Sequence, residues 1–185
     1  MRIIAGSARG RSYDAPEGQD TRPTLVRVRK SLFDALQFRL PGAKVLDLFS
    51  GSGGLGLEAA SRGAASVICN DRDRACAQLI RRNAEKTGLA DIIDVWQYDC
   101  MEALAQAERR GLKFDLILID APYFEKSGEK CAEEVFVRQL LQTGGIAVLE
   151  HDVSVFAPEV DKLSKIVWER NYGDVVLTML GEDKE

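Results

Sequence analysis

The chain has 185 residues, 45% of them apolar and 29% charged, with a net charge of −4. That length suits one domain with one core. No apolar stretch nears the ~20 residues of a membrane helix, and MRIIAGSARGR lacks the apolar run of a secretory signal, so a cytoplasmic protein that touches no membrane is expected. The charge is uneven: residues 1–30 carry Arg2, Arg9, Arg11, Arg22, Arg27, Arg29 and Lys30 against three acids, a balance of +4, which leaves −8 on the remainder. A polyanion would be held by that basic arm, although a basic terminus can equally be a solvated face. The four cysteines, Cys69, Cys76, Cys100 and Cys131, form no C-x-x-C pair. Neither a zinc site nor a disulfide framework is expected, and the thiols read as reduced.

In chain order, MRIIAG and GRSYDA read as a small hairpin, and TLVRVRKSLFDALQFRL as an amphipathic helix capped by Thr24, with Val28, Leu32, Ala35 and Leu36 as its buried stripe. Pro41 and Gly42 mark the junction between a 1–40 extension and a 41–185 main domain. From there strands alternate with helices: strand 44–49, helix 54–62 stopped by Gly63, strand 65–70, helix 73–87 stopped by Gly88, strand 91–98, helix 100–110, strand 114–120, helix 129–141 and strand 145–151. Two last strands, 163–169 and 174–180, are close enough to form a hairpin. The alternation predicts an α/β, Rossmann-like fold: a mostly parallel seven-stranded sheet with an antiparallel C-terminal edge hairpin and a hairpin-helix extension in front. FDLILID is apolar on both faces and belongs mid-sheet.

After the first strand, DLFSGSGGLG satisfies G-x-G-x-x-G with Gly51, Gly53 and Gly56, a weak signal shared with dinucleotide folds. Asp47 alters the reading: a carboxylate at the strand end repels a pyrophosphate but attracts an ammonium group, which suits S-adenosylmethionine. Asp71, after the second strand, is placed to accept both hydroxyls of a ribose. Asp99, after the third, could accept from an adenine amine, with Cys100 and Met101 beside the ring. Strand-end acids of this kind are also often helix caps.

The fourth strand runs into Asp120, Ala121, Pro122 and Tyr123. An exocyclic amine on a base is a poor nucleophile because its lone pair is delocalised into the ring. Two acceptors on its N–H groups, the Asp120 carboxylate and the Ala121 carbonyl, would aim that lone pair at a sulfonium methyl. Tyr123 would stack on the extruded base, and Pro122 would fix the turn. No metal is required. His151, the only histidine, reads as a hydrogen-bonded loop residue.

These motifs resemble the class I S-adenosylmethionine-dependent methyltransferases. With RIIAGSARGR, TRPT and LEHDVSVFAPEV the whole chain is similar to the RsmD-type 16S ribosomal RNA guanine-N(2)-methyltransferases. The resemblance implies methyl transfer to a guanine amine of 16S ribosomal RNA, free or in an assembling small subunit, by a monomer. It implies a cofactor set of Asp47, Phe49, Ser50, Gly51, Ser52, Gly53, Asp71, Arg72, Asp99, Cys100 and Met101. It also implies a catalytic set of Asp120 to Tyr123 and an RNA-facing set of Arg2, Arg9, Arg11, Arg22 and Arg27. The chain departs from the family pattern at Leu25, Val26 and Lys30, and at Ala121, where proline is usual. Other readings of the same motifs are an amine methyltransferase acting on DNA or protein glutamine, a dinucleotide-dependent oxidoreductase, and a non-catalytic RNA-binding factor.

Overall fold

A computed structural model describes residues 1–16, 23–122, 127–154 and 164–182. The elements are α1 (Pro23–Ala35), β1 (Lys44–Asp47), α2 (Gly54–Ser61), β2 (Ser66–Asn70), α3 (Arg74–Thr87), β3 (Ile93–Trp96), α4 (Cys100–Arg109), β4 (Phe114–Ile119), α5 (Ser127–Val137), β5 (Leu141–Asp152), β6 (Ser164–Tyr172) and β7 (Val175–Glu182).

The strands form one seven-stranded sheet in the order β3-β2-β1-β4-β5-β7-β6. β1 to β5 are parallel, and β7 runs antiparallel between β5 and β6. The chain order of the last two strands is therefore reversed in space, for a compositional reason. VVLTMLGE is buried along its middle and needs a neighbour on each side, whereas SKIVWERNY is exposed or half-exposed throughout and tolerates the edge.

Alternation along the strands divides the interior in two. Val45, Leu116, Leu118, Ile146 and Val148 face α1, α2, α3 and the N-terminal segment, whereas Leu46, Ile117, Ile119, Ala147 and Leu149 face α4 and α5. One core is thus corrected to two, because a parallel sheet needs cover on both faces. Residues 1–40 share the first of them: Ile3, Tyr13, Phe33, Leu36 and Leu40 are buried among the residues of β1 and α2.

The expected N-terminal hairpin is a single antiparallel bridge, Arg2 with Ser12, flanked by Gly10 N donating to Ile3 O and Tyr13 N to Met1 O. α2 clasps it. Glu58, 1% exposed, accepts from Ile4 N and Ala5 N at 2.8 and 3.1 Å, while Ser61 Oγ donates to Ala5 O and accepts from Ala8 N. Arg62 closes the group by donating to Glu58 Oε1 at 2.7 Å and to Phe33 O of α1. Gly6 must be glycine here, since its φ is +87° and a Cβ would overlap the Ser61 carbonyl.

Local caps follow the sequence. Asp73 accepts from Ala75 N at the start of α3, and Gly88 ends it in the left-handed region at φ 68°. Several boundaries differ from expectation, among them the start of α1 and the end of α5. α1 starts at Pro23, so Thr24 is inside the helix and proline takes the first turn, where its missing N–H costs nothing. α5 stops at Val137 rather than 141: Gln139 turns to φ 51°, and Leu141 pairs with Phe114 at the start of β5.

Candidate active site

The carboxyl ends of β1, β2, β3, β4 and β5 open into one cavity of about 820 Å³, closed over by α1 and the N-terminal segment. That volume suits a small-molecule ligand. Of the residues singled out from sequence, Phe49, Ser50, Gly51, Ser52, Asp71, Arg72, Asp99, Cys100, Met101, Asp120, Ala121 and Pro122 line it; Asp47 and Gly53 do not, and Tyr123 and Arg22 lie outside the described residues.

Asp47 is wholly enclosed beneath the glycine turn, where its Oδ2 accepts from Gly56 N at 3.1 Å. The direct contact expected with an ammonium group is not made by this geometry, because β1 ends deeper than β4: Asp47 sits level with Leu118, two residues below Asp120. Its Oδ1 is buried without a hydrogen-bond partner, and burial pushes its pKa up to about 7 despite the Ser50 and Gly56 contacts. A folded-state pKa above the ordinary carboxylate value means that the native chain holds a proton which the unfolded chain releases. Stability is therefore lost as pH rises from about 4 towards about 7. Asp47→Asn keeps an acceptor for Gly56 and removes the charge. It should melt higher than the parent at pH 8, by on the order of 5 °C, with the gain shrinking at pH 5; an equal change at both pH values in a thermal melt would refute this.

The turn is held from outside. Asp71 Oδ2 accepts from Gly51 N and its Oδ1 from Asp73 N, both at 2.9 Å. Asn70 O accepts from Ser50 N, and Asn83 Nδ2 donates to Ser52 O. Gly53 adopts a left-handed φ of 84° and supplies no side-chain cap to α2; Asp47 takes the Gly56 N–H of that first turn, while Gly54 and Leu55 line the cavity. At Gly56 a Cβ would overlap Cys69 Sγ, which is why the helix can lie so close to β2.

Sequence reasoning missed several lining residues, among them Arg29, Asn70, Tyr98, Ser127 and Glu150. Arg29 comes from α1, and in the sequence it counts only towards the charge of the basic arm. Its Nη1 donates to Tyr13 Oη and its Nη2 to Arg2 O, while Nε is buried without a partner. Asn70 was legible as a strand end next to Asp71, but its role of donating to Leu48 O and Tyr98 O depends on three strands meeting.

Asp99 caps α4 by accepting from Met101 N at 3.0 Å, and its exposed carboxylate lines the cavity. Cys100 and Cys131, 31 positions apart, are neighbours whose thiols act on each other. That contact holds the Cys100 thiol below its usual pKa and raises that of Cys131. All four cysteines are free, as expected. Asp120 is half-buried at the rim, its pKa pushed well above the carboxylate range by burial, then by Glu150 and Asp47. The Ala121 side chain packs towards Gly128 of α5, where an added Cβ would lie 3.3 Å away.

The basic arm is divided. Arg2, Arg9, Arg11 and Arg27 are exposed; Arg2 braces the hairpin through Gly10 O, and Arg11 donates to Thr87 O at the negative end of α3. At the departures, Val26 is 45% exposed and lines the cavity, while Lys30 pairs with Asp34 at 2.6 Å. His151 lies in β5, not in a loop, bonded to Asp152 O and Thr178 Oγ1 away from the cavity. Among the described residues no cluster could hold a metal ion, and no helix is long and apolar enough to cross a membrane.

A parallel sheet with a reversed β7 inserted beside β5, a glycine turn after β1 and Asp-Ala-Pro at the edge of β4 define a Rossmann-like class I methyltransferase fold. A solved Escherichia coli protein described as "Putative methyltransferase yhhF" superposes with a TM-score of 0.87 at 30% identity, covering 100% of this chain and 99% of that one. The chain belongs to the RsmD family: residues 1–181 match the family model described as Conserved hypothetical protein 95. It is 37% identical over 178 residues to the "Putative rRNA methyltransferase YlbH" of Bacillus subtilis, covering 96% of this chain and 91% of that protein. It is also 38% identical over 125 residues to the Ribosomal RNA small subunit methyltransferase D of Escherichia coli, covering 66% of this chain and 60% of that protein.

Proposed function

We propose that the chain transfers a methyl group from S-adenosylmethionine to the exocyclic amine of a guanine in 16S ribosomal RNA. The observation that carries this reading is the placement of Asp120 and Ala121 on the rim of a cavity whose floor is the glycine turn. A ribosomal RNA substrate is supported by the names of the relatives.

The residues suit the cofactor. Asp71 retains lone pairs for ribose hydroxyls after holding Gly51 and Asp73. The start of α2, where Gly54 and Leu55 line the cavity with Arg29 beside Gly54, suits a carboxylate. Asp47 supports this seat from beneath, through Gly56 N, and does not line the cavity. Tyr98, Cys100 and Met101 offer an apolar wall for a base.

When bound, S-adenosylmethionine supplies an electrophilic methyl on a cationic sulfur. Asp120 and the Ala121 carbonyl hold the two amine hydrogens so that the nitrogen lone pair points along the line of attack. One of those protons leaves through Asp120 as the new C–N bond forms. Exposed Arg2, Arg9, Arg11 and Arg27 hold phosphates.

Radiolabelled S-adenosylmethionine incubated with 16S ribosomal RNA or small subunits from cells lacking the enzyme should label one guanine. Label in DNA or protein only, or tight binding of a nicotinamide dinucleotide instead, would refute the proposal. Asp71→Ala should weaken cofactor binding about 10- to 100-fold by calorimetry, the loss of one or two charge-assisted hydrogen bonds. Unchanged affinity would remove Asp71 from the ribose site.

A further inference from the structure

Glu150 has no assigned role, yet it stands in the site. β4 and β5 are parallel, with Ile119 opposite Leu149, so Asp120 and Glu150 are the next pair at the carboxyl edge. Continued one step past the end of β4, that register would set their Cα atoms about 4.8 Å apart, with both side chains on the same face of the sheet. Both line the cavity, and Glu150 is half-buried there. Two carboxylates side by side at a partly desolvated rim repel each other, and the Glu150 charge adds to burial in raising the pKa of Asp120. A ligand that presents two adjacent N–H donors relieves that repulsion.

Base chemistry says which ligand does so. In guanine the amine lies next to a ring N1–H, so the Watson–Crick edge offers two neighbouring donors. In adenine and cytosine the ring nitrogen beside the amine carries a lone pair instead. We propose that Glu150 is a specificity-determining residue: its carboxylate accepts the guanine N1–H while Asp120 and Ala121 hold the neighbouring amine, so that guanine is taken and adenine and cytosine are refused. This rests on the guanine-amine reading above. Glu150 takes no proton in the reaction. The carbon–sulfur bond breaks with its electron pair going to sulfur, the carbon–nitrogen bond forms, and the proton lost comes from the amine, not from N1. An adenine or cytosine would instead set a lone pair against a carboxylate, leaving two acceptors unpaired.

The test uses 2-aminopurine, which has the guanine amine but a lone pair at N1. The full chain and its Glu150→Gln variant are assayed on 16S ribosomal RNA assembled by splint ligation with guanine or 2-aminopurine at the methylated position, both as naked RNA and in reconstituted subunits. The parent should prefer guanine by about 5- to 150-fold in kcat/KM, the usual discrimination of a specific base contact. Glu150→Gln can accept from guanine N1–H through its amide oxygen or turn to donate to the N1 lone pair of 2-aminopurine, so it should gain activity on 2-aminopurine and narrow the ratio. The ratio is taken within one preparation, so a misfolded fraction cancels. An unchanged guanine to 2-aminopurine ratio in the variant overturns the role of Glu150 while leaving the amine reading standing. A parent enzyme that labels neither RNA takes both down.

Discussion

Asp120→Ala should retain cofactor binding within a few-fold of the parent and lose methyl transfer by at least about 10²- to 10⁴-fold, the range of a positioned acid–base group. The binding half follows from geometry: Asp120 is at the rim on β4, whereas the groups that hold the glycine turn come from β1, β2 and α3. The catalytic half follows from the amine, whose lone pair is aligned only if both hydrogens find acceptors. Asp120→Asn keeps one oxygen and should fall between the two. Because burial, Glu150 and Asp47 all raise the Asp120 pKa, parent activity should decline on acidification at a pH well above the usual carboxylate range near 4. Calorimetry with S-adenosylmethionine and single-turnover labelling check both halves; a variant that transfers methyl at the parent rate ends the proposed role of Asp120.

Glu58→Ala should cost about 3 to 5 kcal/mol of folding free energy, the usual result of removing one partner from a buried ion pair. Glu58 is 1% exposed, and its loss strands the N–H groups of Ile4 and Ala5 and leaves Arg62, only 11% exposed, with Phe33 O and the more distant Asp34. In a urea titration the midpoint should fall sharply. Amide exchange should quicken first in residues 1–13, because the clasp on the N-terminal segment opens before the sheet does. Glu58→Gln keeps two acceptor lone pairs on its oxygen and should lose less. A midpoint change within ±0.5 kcal/mol for the alanine variant would show that the segment is held by its apolar contacts alone.

Glu58 also marks the limit of what the sequence reveals. In GLGLEAASRGA it is one charged residue in a helix, and nothing nearby announces that its partners are backbone amides 53 and 54 positions away. Features set by local chemistry were legible. Gly88 and Gly63 stop helices because the backbone turns left-handed there, Asp73 caps its own helix, and FDLILI is central because it is apolar on both faces. The end of α5 was not legible. VRQLLQ keeps a helical spacing of apolar residues, and only the pairing of Leu141 with Phe114 shows that the strand has begun.

The site divides along the same line. Asp71, Asp99 and Asp120 are strand-end acids, and the parallel topology brings every strand end to one edge. Arg29 and Glu150 reach that edge from a helix read as amphipathic and from a strand whose depth relative to β4 is fixed by register, which spacing along the chain does not record.

The clasp on α2 has a geometric consequence. One end of that helix is tied to the glycine turn through Gly56 and Asp47, the other to the arginine-bearing segment through Glu58 and Ser61. From Gly56 to Ser61 the helix makes five residue steps, a rise of about 7.5 Å. On the proposed function the helix works as a ruler: its length would set how far the exposed arginines stand from the reacting group, and so how much of an RNA strand would lie between its anchored backbone and the base turned into the cavity.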